Sequence, residues 1–167
     1  MPKFAKLCAL ALSLAIAVLP LGSAFSEESV SPRDAVILFD ADDPAMNAAI
    51  EKARNSLPVF WKMFAAPGSG ISDFSLKLGI SDGKMVEHFW CSDIQGDAGK
   101  ATCAIANEPQ NVFTVSNGQT VDVDPAIISD WMYRKDGKIV GGQTIRVMVT
   151  RMEPEEAAQT KAMLADE

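Results

Sequence analysis

A chain of 167 residues, with 15 Lys plus Arg against 22 Asp plus Glu and a net charge of −7, has room for one domain with a core of ordinary size. That acidic balance excludes long-range attraction to nucleic acid or anionic lipid, since binding a polyanion would need a local basic patch and the sequence shows none. A lone histidine, His88, also excludes a zinc site built from several imidazoles.

Residues 1–24 have the layout of a signal peptide. Lys3 and Lys6 form a positive start, Leu7 to Leu19 is a run of apolar and small residues, and Gly22-Ser23-Ala24 resembles a small-residue cleavage site. The run is short for a bilayer span, which takes about 20 apolar residues. Cys8 follows Lys6 too closely for a lipidation site. Cleavage would remove two lysines and no acidic residue, taking the net charge from −7 to −9. The expected destination is the periplasm or the medium, with no membrane attachment after cleavage. Cys91 and Cys103 then remain, and an oxidising compartment favours their pairing. A loop centred near Asp97 would set them opposite each other on adjacent strands, with buried free thiols as the alternative.

The segment 25–34 is polar and reads as flexible, and a single α+β domain is expected over 35–152. Ala35 to Phe39 is a continuous apolar run that suits a strand covered on both faces. Asp42-Asp43-Pro44 supplies acidic residues and a proline at a helix start. Met46, Ala49, Ile50, Ala53 and Leu57 then recur at helical steps. Pro58 should end or kink this helix after Leu57, giving a helix pair whose second member, Val59 to Phe64, anchors on a sheet through Phe60, Trp61 and Phe64.

Phe74, Leu76, Leu78 and Ile80 alternate with polar or small residues as a half-buried strand does. A three-residue turn at Ser81-Asp82-Gly83 would set Leu76 opposite His88 and Phe74 opposite Trp90, with Val86, His88 and Trp90 on the apolar face and Glu87 pointing away. A two-residue turn would set Leu76 opposite Phe89 instead. Ala101 to Ala106 reads as the returning strand, stopped by Asn107-Glu108-Pro109, and Val112, Phe113 and Val115 suggest another short strand.

The stretch Val121 to Val149 holds the densest signals. Asp124-Pro125 starts a short helical turn, and Asp130-Trp131 leads into a hairpin closed by Asp136-Gly137 in a type I′ turn. Tyr133 then faces Val140, and Trp131 faces Gly142, a bare glycine under an indole. Thr144 to Val149 reads as a strand, with Ile145, Val147 and Val149 on one face and Arg146 on the other. Glu153-Pro154 opens a C-terminal helix over 153–167.

Catalytic motifs are absent. There is no Gly-x-Ser-x-Gly elbow, phosphate loop, dinucleotide fingerprint or EF-hand pattern, and no cofactor is implied. His88 and Cys91 are an odd number apart on a strand, which sets them on opposite faces and argues against a cysteine–histidine pair. The candidates for acid–base chemistry are Glu87, His88 and Asp130, and a small hydrolase using them would need the three to converge in a pocket. Asp130 as a turn cap and Trp131 as core is the structural alternative. Trp90, Trp131, Tyr133 and Arg146 are candidate binding residues, because aromatic and arginine side chains are the usual anchors.

The segments DDPAMNAAIEKAR, EHFW, ANEP and DWMYRKDGKIVGGQTIRV, in this order, make the chain from about Asp42 to Met152 resemble a bacterial family known as domain of unknown function 2314. The resemblance implies a small α+β domain, exported in some members, and carries no activity, cofactor or catalytic residues with it. Cys91 and Cys103 are not part of that pattern. The expected architecture is therefore α+β, a strongly bent antiparallel sheet covered by an N-terminal helix pair, with a C-terminal helix. The expected role is a non-catalytic module binding a protein or small molecule in the cell envelope, with the hydrolase and an inhibitor or immunity-like partner as alternatives.

Overall fold

The structure, a computed structural model, describes residues 43–167; the expected signal peptide, the 25–34 segment and the Ala35–Phe39 strand lie outside the described residues. The first element is helix α1, Pro44–Ala65, whose N-cap Asp43 accepts a hydrogen bond from the Met46 N–H at 2.9 Å. It is one helix, where a pair was expected. Pro58 lies inside it on an exposed position, and the Arg54 carbonyl has no Pro58 N–H to accept from. The interior proline costs about 3 kcal/mol, and the burial of the aromatic residues beyond it offsets that cost. Phe60 is fully buried and stacks among Trp61, Phe64, Phe74 and Trp131, with ring centroids 5.1 to 6.1 Å apart.

Among the described residues six strands follow: β1 (Ile71–Ser81), β2 (Val86–Gly96), β3 (Ala101–Ile105), β4 (Thr120–Asp122), β5 (Ile128–Lys135) and β6 (Lys138–Gly141). They form one antiparallel sheet in the order β4-β3-β2-β1-β5-β6. A 3-10 turn, Pro125–Ile127, precedes β5 and is capped by Asp124, as the Asp-Pro pair suggested. Helices α2 (Gln143–Val149) and α3 (Pro154–Met163) complete the α+β fold.

Alternation along β5 divides the core. Trp131 and Tyr133 join Leu76, Leu78, Cys91 and Cys103 under α1, with Ala53 and Phe60. Met132 points the other way and joins Trp90, Ile139, Ile145, Val149 and Ala157 under α2 and α3. Trp131 also donates its indole N–H to the Ala53 carbonyl at 2.9 Å, so the strand is fastened to α1 as well as packed on it.

The β5–β6 hairpin has the expected register, Lys135 opposite Lys138 and Tyr133 opposite Val140, and both turn residues have positive φ (Asp136 50°, Gly137 80°). The glycine under the indole is Gly141 and not Gly142. A Cβ there would lie 2.7 Å from Trp131 ring atoms. Thr144 to Val149 is helix α2 where a strand was expected. Gly141 and Gly142, at φ 83° and 62°, end the strand, and the next two backbone N–H groups turn onto the Asp130 carboxylate. The β-branched residues cost a helix only tenths of a kcal/mol each.

The β1–β2 register also differs from both expectations. Leu76 lies opposite Cys91, Leu78 opposite Phe89 and Gly79 opposite His88, because four residues, 82 to 85, form the turn. Asp82 makes that turn favourable by accepting from the N–H groups of Lys84 and Met85. Relative to the three-residue turn this register reverses the faces of β2, and the faces are those the two-residue turn would have given: Glu87, Phe89 and Cys91 join the α1 side, while His88 and Trp90 face away from it. Residues 112 to 115 form no strand; Val112 plugs a small cluster with Phe89 and Ile105, and Phe113 is exposed.

Cys91 and Cys103 are disulfide-bonded with Cα atoms 5.6 Å apart. Cys91 is opposite Ile105, so the bridge is diagonal; Gly96 pairs with Ala101, which puts the turn at 97–100, past the expected centre at Asp97, and sets the strands two residues from the directly opposed arrangement. A closed span of 12 residues should stabilise the fold by about 2–3 kcal/mol. Urea denaturation of the oxidised protein and of a Cys91→Ala/Cys103→Ala double variant is expected to differ by that amount, and equal midpoints would show that the bridge adds nothing.

Candidate functional site

Asp130 lies at the foot of β5 with no solvent exposure. One carboxylate oxygen accepts from the N–H groups of Trp131 (2.8 Å) and Gln143 (3.2 Å), the other from the N–H and hydroxyl of Thr144 (2.7 and 2.6 Å). Both oxygens are thereby spent on the first turn of α2. Lys77, opposite Asp130 in the ladder, brings its ammonium to 3.3 Å from the Thr144 hydroxyl and 5.3 Å from the Trp90 ring centroid. Burial pushes the Asp130 carboxyl above its usual range, opposed by the Thr144 hydrogen bonds and Lys77; burial also lowers Lys77, opposed by Asp130.

Glu87 is on the other side of the sheet, and is also buried. Its carboxylate gathers the N–H groups of Gln110, Asn111 and Val112 at 2.8 to 3.2 Å, which fixes the loop after β3 against the sheet. His88 is one residue on and therefore faces the opposite way. Its Nδ1 is hydrogen-bonded to the Ser129 hydroxyl at 2.8 Å, and that hydroxyl also lies 3.2 Å from the Lys77 carbonyl. His88 is exposed at the surface, yet its ring edge is tucked against Gly79. Desolvation of that edge, then the Lys77 and Arg54 cations, hold the imidazole at about 4. Glu87, His88 and Asp130 do not converge: each has its own partners, and Glu87 is separated from the others by the sheet.

The expected binding residues form no common surface either. Trp90 (4% exposed) is in the α2–α3 core, and Trp131 (4%) and Tyr133 (6%) stack in the α1 core with ring centroids 5.9 Å apart. Arg146 fastens the segment after α3. It donates to the carbonyls of Gly141 (3.2 Å) and Ala165 (2.9 Å) and pairs with Glu167 at 3.4 Å. Aromatic residues near turns read as anchors in the sequence because the strand register that buries them was not yet fixed.

What the sequence missed is a cleft. The β1–β2 ladder stops at Leu76 and Cys91. Beyond it both strands bulge, at Asp73 (φ 53°) against β5 and at Asp93 (φ 51°) against β3, and they part. Between them opens a cleft of about 340 Å³ lined by Asp73, Phe74, Ser75, Ser92, Asp93 and Ile94. Aspartate is one of the few residues that tolerates a left-handed backbone, but the even alternation of Phe74, Leu76 and Leu78 gave no sign of a bulge. Among the described residues no group of three or more His, Cys, Asp and Glu is placed to hold a metal ion, and no helix is long and apolar enough to cross a membrane.

A family model described as an uncharacterised protein conserved in bacteria (DUF2314) matches residues 43–165. The chain belongs to the DUF2314 family. Among its relatives is the uncharacterised protein YegJ of Escherichia coli K12, 34% identical over 84% of this chain and 88% of that protein. Another is a Neisseria meningitidis serogroup B protein named for ankyrin repeats, NMB1133/NMB1171, 35% identical over 77% of this chain and 54% of that protein. No solved structure matches. The DUF2314 match covers α1 through α3.

Two outcomes follow from these carboxylates and the imidazole. Asp130→Ala leaves the Gln143 and Thr144 donors without their acceptor and should destabilise the DUF2314 domain by about 3 kcal/mol; chemical denaturation showing under 1 kcal/mol would refute the capping role. For His88, a folded value near 4 against about 6.5 unfolded means that the unfolded chain takes up the proton first. Its contribution to stability is therefore present above pH 6.5 and lost as pH falls toward 4. An NMR titration of the single imidazole should give a midpoint well below the ordinary one, and a midpoint at or above the ordinary value would contradict the packing described.

Proposed function

We propose that this chain is an exported, non-catalytic binding module of the bacterial cell envelope, with its ligand site in the cleft between β1 and β2. The observation that carries this reading is the cleft itself: an opening of about 340 Å³, lined by Asp73, Phe74, Ser75, Ser92, Asp93 and Ile94, where two central strands part. The side chains best suited to acid–base chemistry are meanwhile engaged in holding loops and helix ends. Export is supported by the signal-peptide pattern of residues 1–24, and the disulfide fits an oxidising compartment.

Expression of the whole chain followed by cell fractionation and native mass measurement tests both halves of the proposal. The expected product is periplasmic or secreted, lacks residues 1–24, has no free thiol, and carries a sub-stoichiometric bound molecule that is lost on unfolding. An unprocessed, reduced, cytoplasmic product would overturn export. A homogeneous ligand-free mass that no extract of the envelope alters would overturn the binding role.

A further inference from the structure

The segment that follows α3 lies on the sheet as a bound peptide would. Its backbone turns extended at Leu164 (φ −79°, ψ 141°), pairs in parallel with Ile139 on the edge strand β6, and donates the Ala165 N–H to the Ile139 carbonyl at 2.8 Å. Two residues on, the Glu167 carboxylate meets three donors from two helices: Lys52 Nζ of α1 at 2.6 Å, and Gln143 Nε2 and Arg146 Nε of α2 at 2.6 and 3.4 Å. We infer that the β6 edge and this donor cluster form a docking groove for an extended acidic segment of a partner protein, which residues 164–167 fill in its place.

Three observations support this. The first is that the donors are positioned independently of the segment they hold. Gln143 and Arg146 share one side of α2 at a spacing of three, the start of that helix is fixed by Asp130, and Arg146 Nε also donates to the Gly141 carbonyl at 3.2 Å. Gln143 is only 8% exposed, yet its amide is directed outward at Glu167, which an ordinary surface ion pair does not require. The second is charge. Lys52 and Arg146 bring two cations to one carboxylate, and neither has another ion pair among the described residues. In a chain of net charge −7 this cluster is locally positive, which favours an acidic partner. Its donors, Lys52 first and then Gln143, hold the Glu167 carboxyl below its ordinary range. The third is that the occupant is lightly held. The Lys52 and Glu167 side chains are 56% and 43% exposed, and pairs so open to water contribute little. Arg146 adds a bond to the Ala165 carbonyl at 2.9 Å, and Leu164 is half-buried against the α2 core. A partner strand added to the same edge would repeat these contacts. It competes with a segment whose short connection to α3 gives it an effective concentration of roughly millimolar.

The blocked peptide acetyl-Leu-Ala-Asp-Glu-amide, added to the oxidised, isotope-labelled full chain, tests the groove. It is expected to shift the Gln143 side-chain amide and the backbone amides of Ile139 and Gly141 saturably. Glu167→Gln, which weakens the resident segment, should tighten that binding about tenfold, as loss of a charge-assisted contact by the competitor does. Lys52→Ala added to Glu167→Gln, at an exposed position, should weaken it again by about threefold. Acetyl-Leu-Ala-Asn-Gln-amide should leave the same amides unmoved. Equal affinity for the unchanged chain and Glu167→Gln would show that residues 164–167 do not compete, and equal affinity of the two peptides would remove the acidic requirement; either overturns the inference. So does a lack of shifts in both proteins, or shifts confined to Ser75 and Ser92, which would move the peptide to the cleft. Sedimentation of the unchanged chain should give a monomer at all concentrations. A dimer that Glu167→Gln dissociates would place the segment of a second copy in the groove and overturn the assignment to a different partner.

Discussion

The fold depends on a carboxylate that has no access to water. Asp130 is fully buried, and its two oxygens together accept from three backbone N–H groups and one hydroxyl. Without it the chain leaving β6 would have a helix end buried with unsatisfied donors, which native structures avoid. With it, the strand ends at two glycines and α2 begins at once, so that Ile145 and Val149 reach the core beside Trp90 and Met132. The ammonium of Lys77 near the Thr144 hydroxyl moderates the cost of burying the charge. A single side chain thus decides where the second helical layer begins.

Glu87 solves the same problem on the other face. The loop between β3 and β4 has no ladder for its backbone, and Glu87 supplies the acceptor for three consecutive N–H groups. That lets Val112 enter the core with Phe89 and Ile105 while Phe113 stays outside. Two buried acids in a chain without a visible catalytic motif invite an acid–base reading from sequence. In the fold each acts as an acceptor that replaces missing backbone partners, on opposite sides of the sheet.

The sequence made local features legible and non-local ones much less so. Asp43-Pro44, Asp124-Pro125 and Asp136-Gly137 each carry their own geometry, and all three appear where read. Pro58 misled because a local helix breaker competes with the burial of Phe60, which depends on a sheet the local pattern does not show. Thr144 to Val149 misled for a related reason, since its helix is capped by a residue fourteen positions earlier. In β2 the observed register is three residues from that of the three-residue turn, which exchanges the faces of Glu87 and His88, and two from that of the two-residue turn, which leaves them alike, because side-chain direction has a period of two. The candidate binding residues inherited such errors. The cleft was invisible for a deeper reason: it exists where two ladders fail, and the pattern of a strand says little about where its pairing stops.

The cleft is nonetheless not a loose end of the sheet. On one side β2 is held to β3 by the Cys91–Cys103 bond, and Cys91 is the last residue of β2 laddered to β1 before the strands part. Beyond the bulge, Gln95 and Gly96 pair again with Thr102 and Ala101. On the other side Ile71 and Ser72 pair with Lys135 and Arg134 of β5, and Phe74 is wedged between Phe60, Phe64 and Tyr133 with ring centroids 5.2 to 5.7 Å apart. Each wall is therefore fastened to a different neighbour, and neither is free to close on the other without breaking a ladder. A cleft held open in this way loses little conformational freedom when occupied, so even a small ligand would keep most of its contact energy as affinity. The disulfide then has a second effect besides stabilising the fold, since it keeps one wall in position.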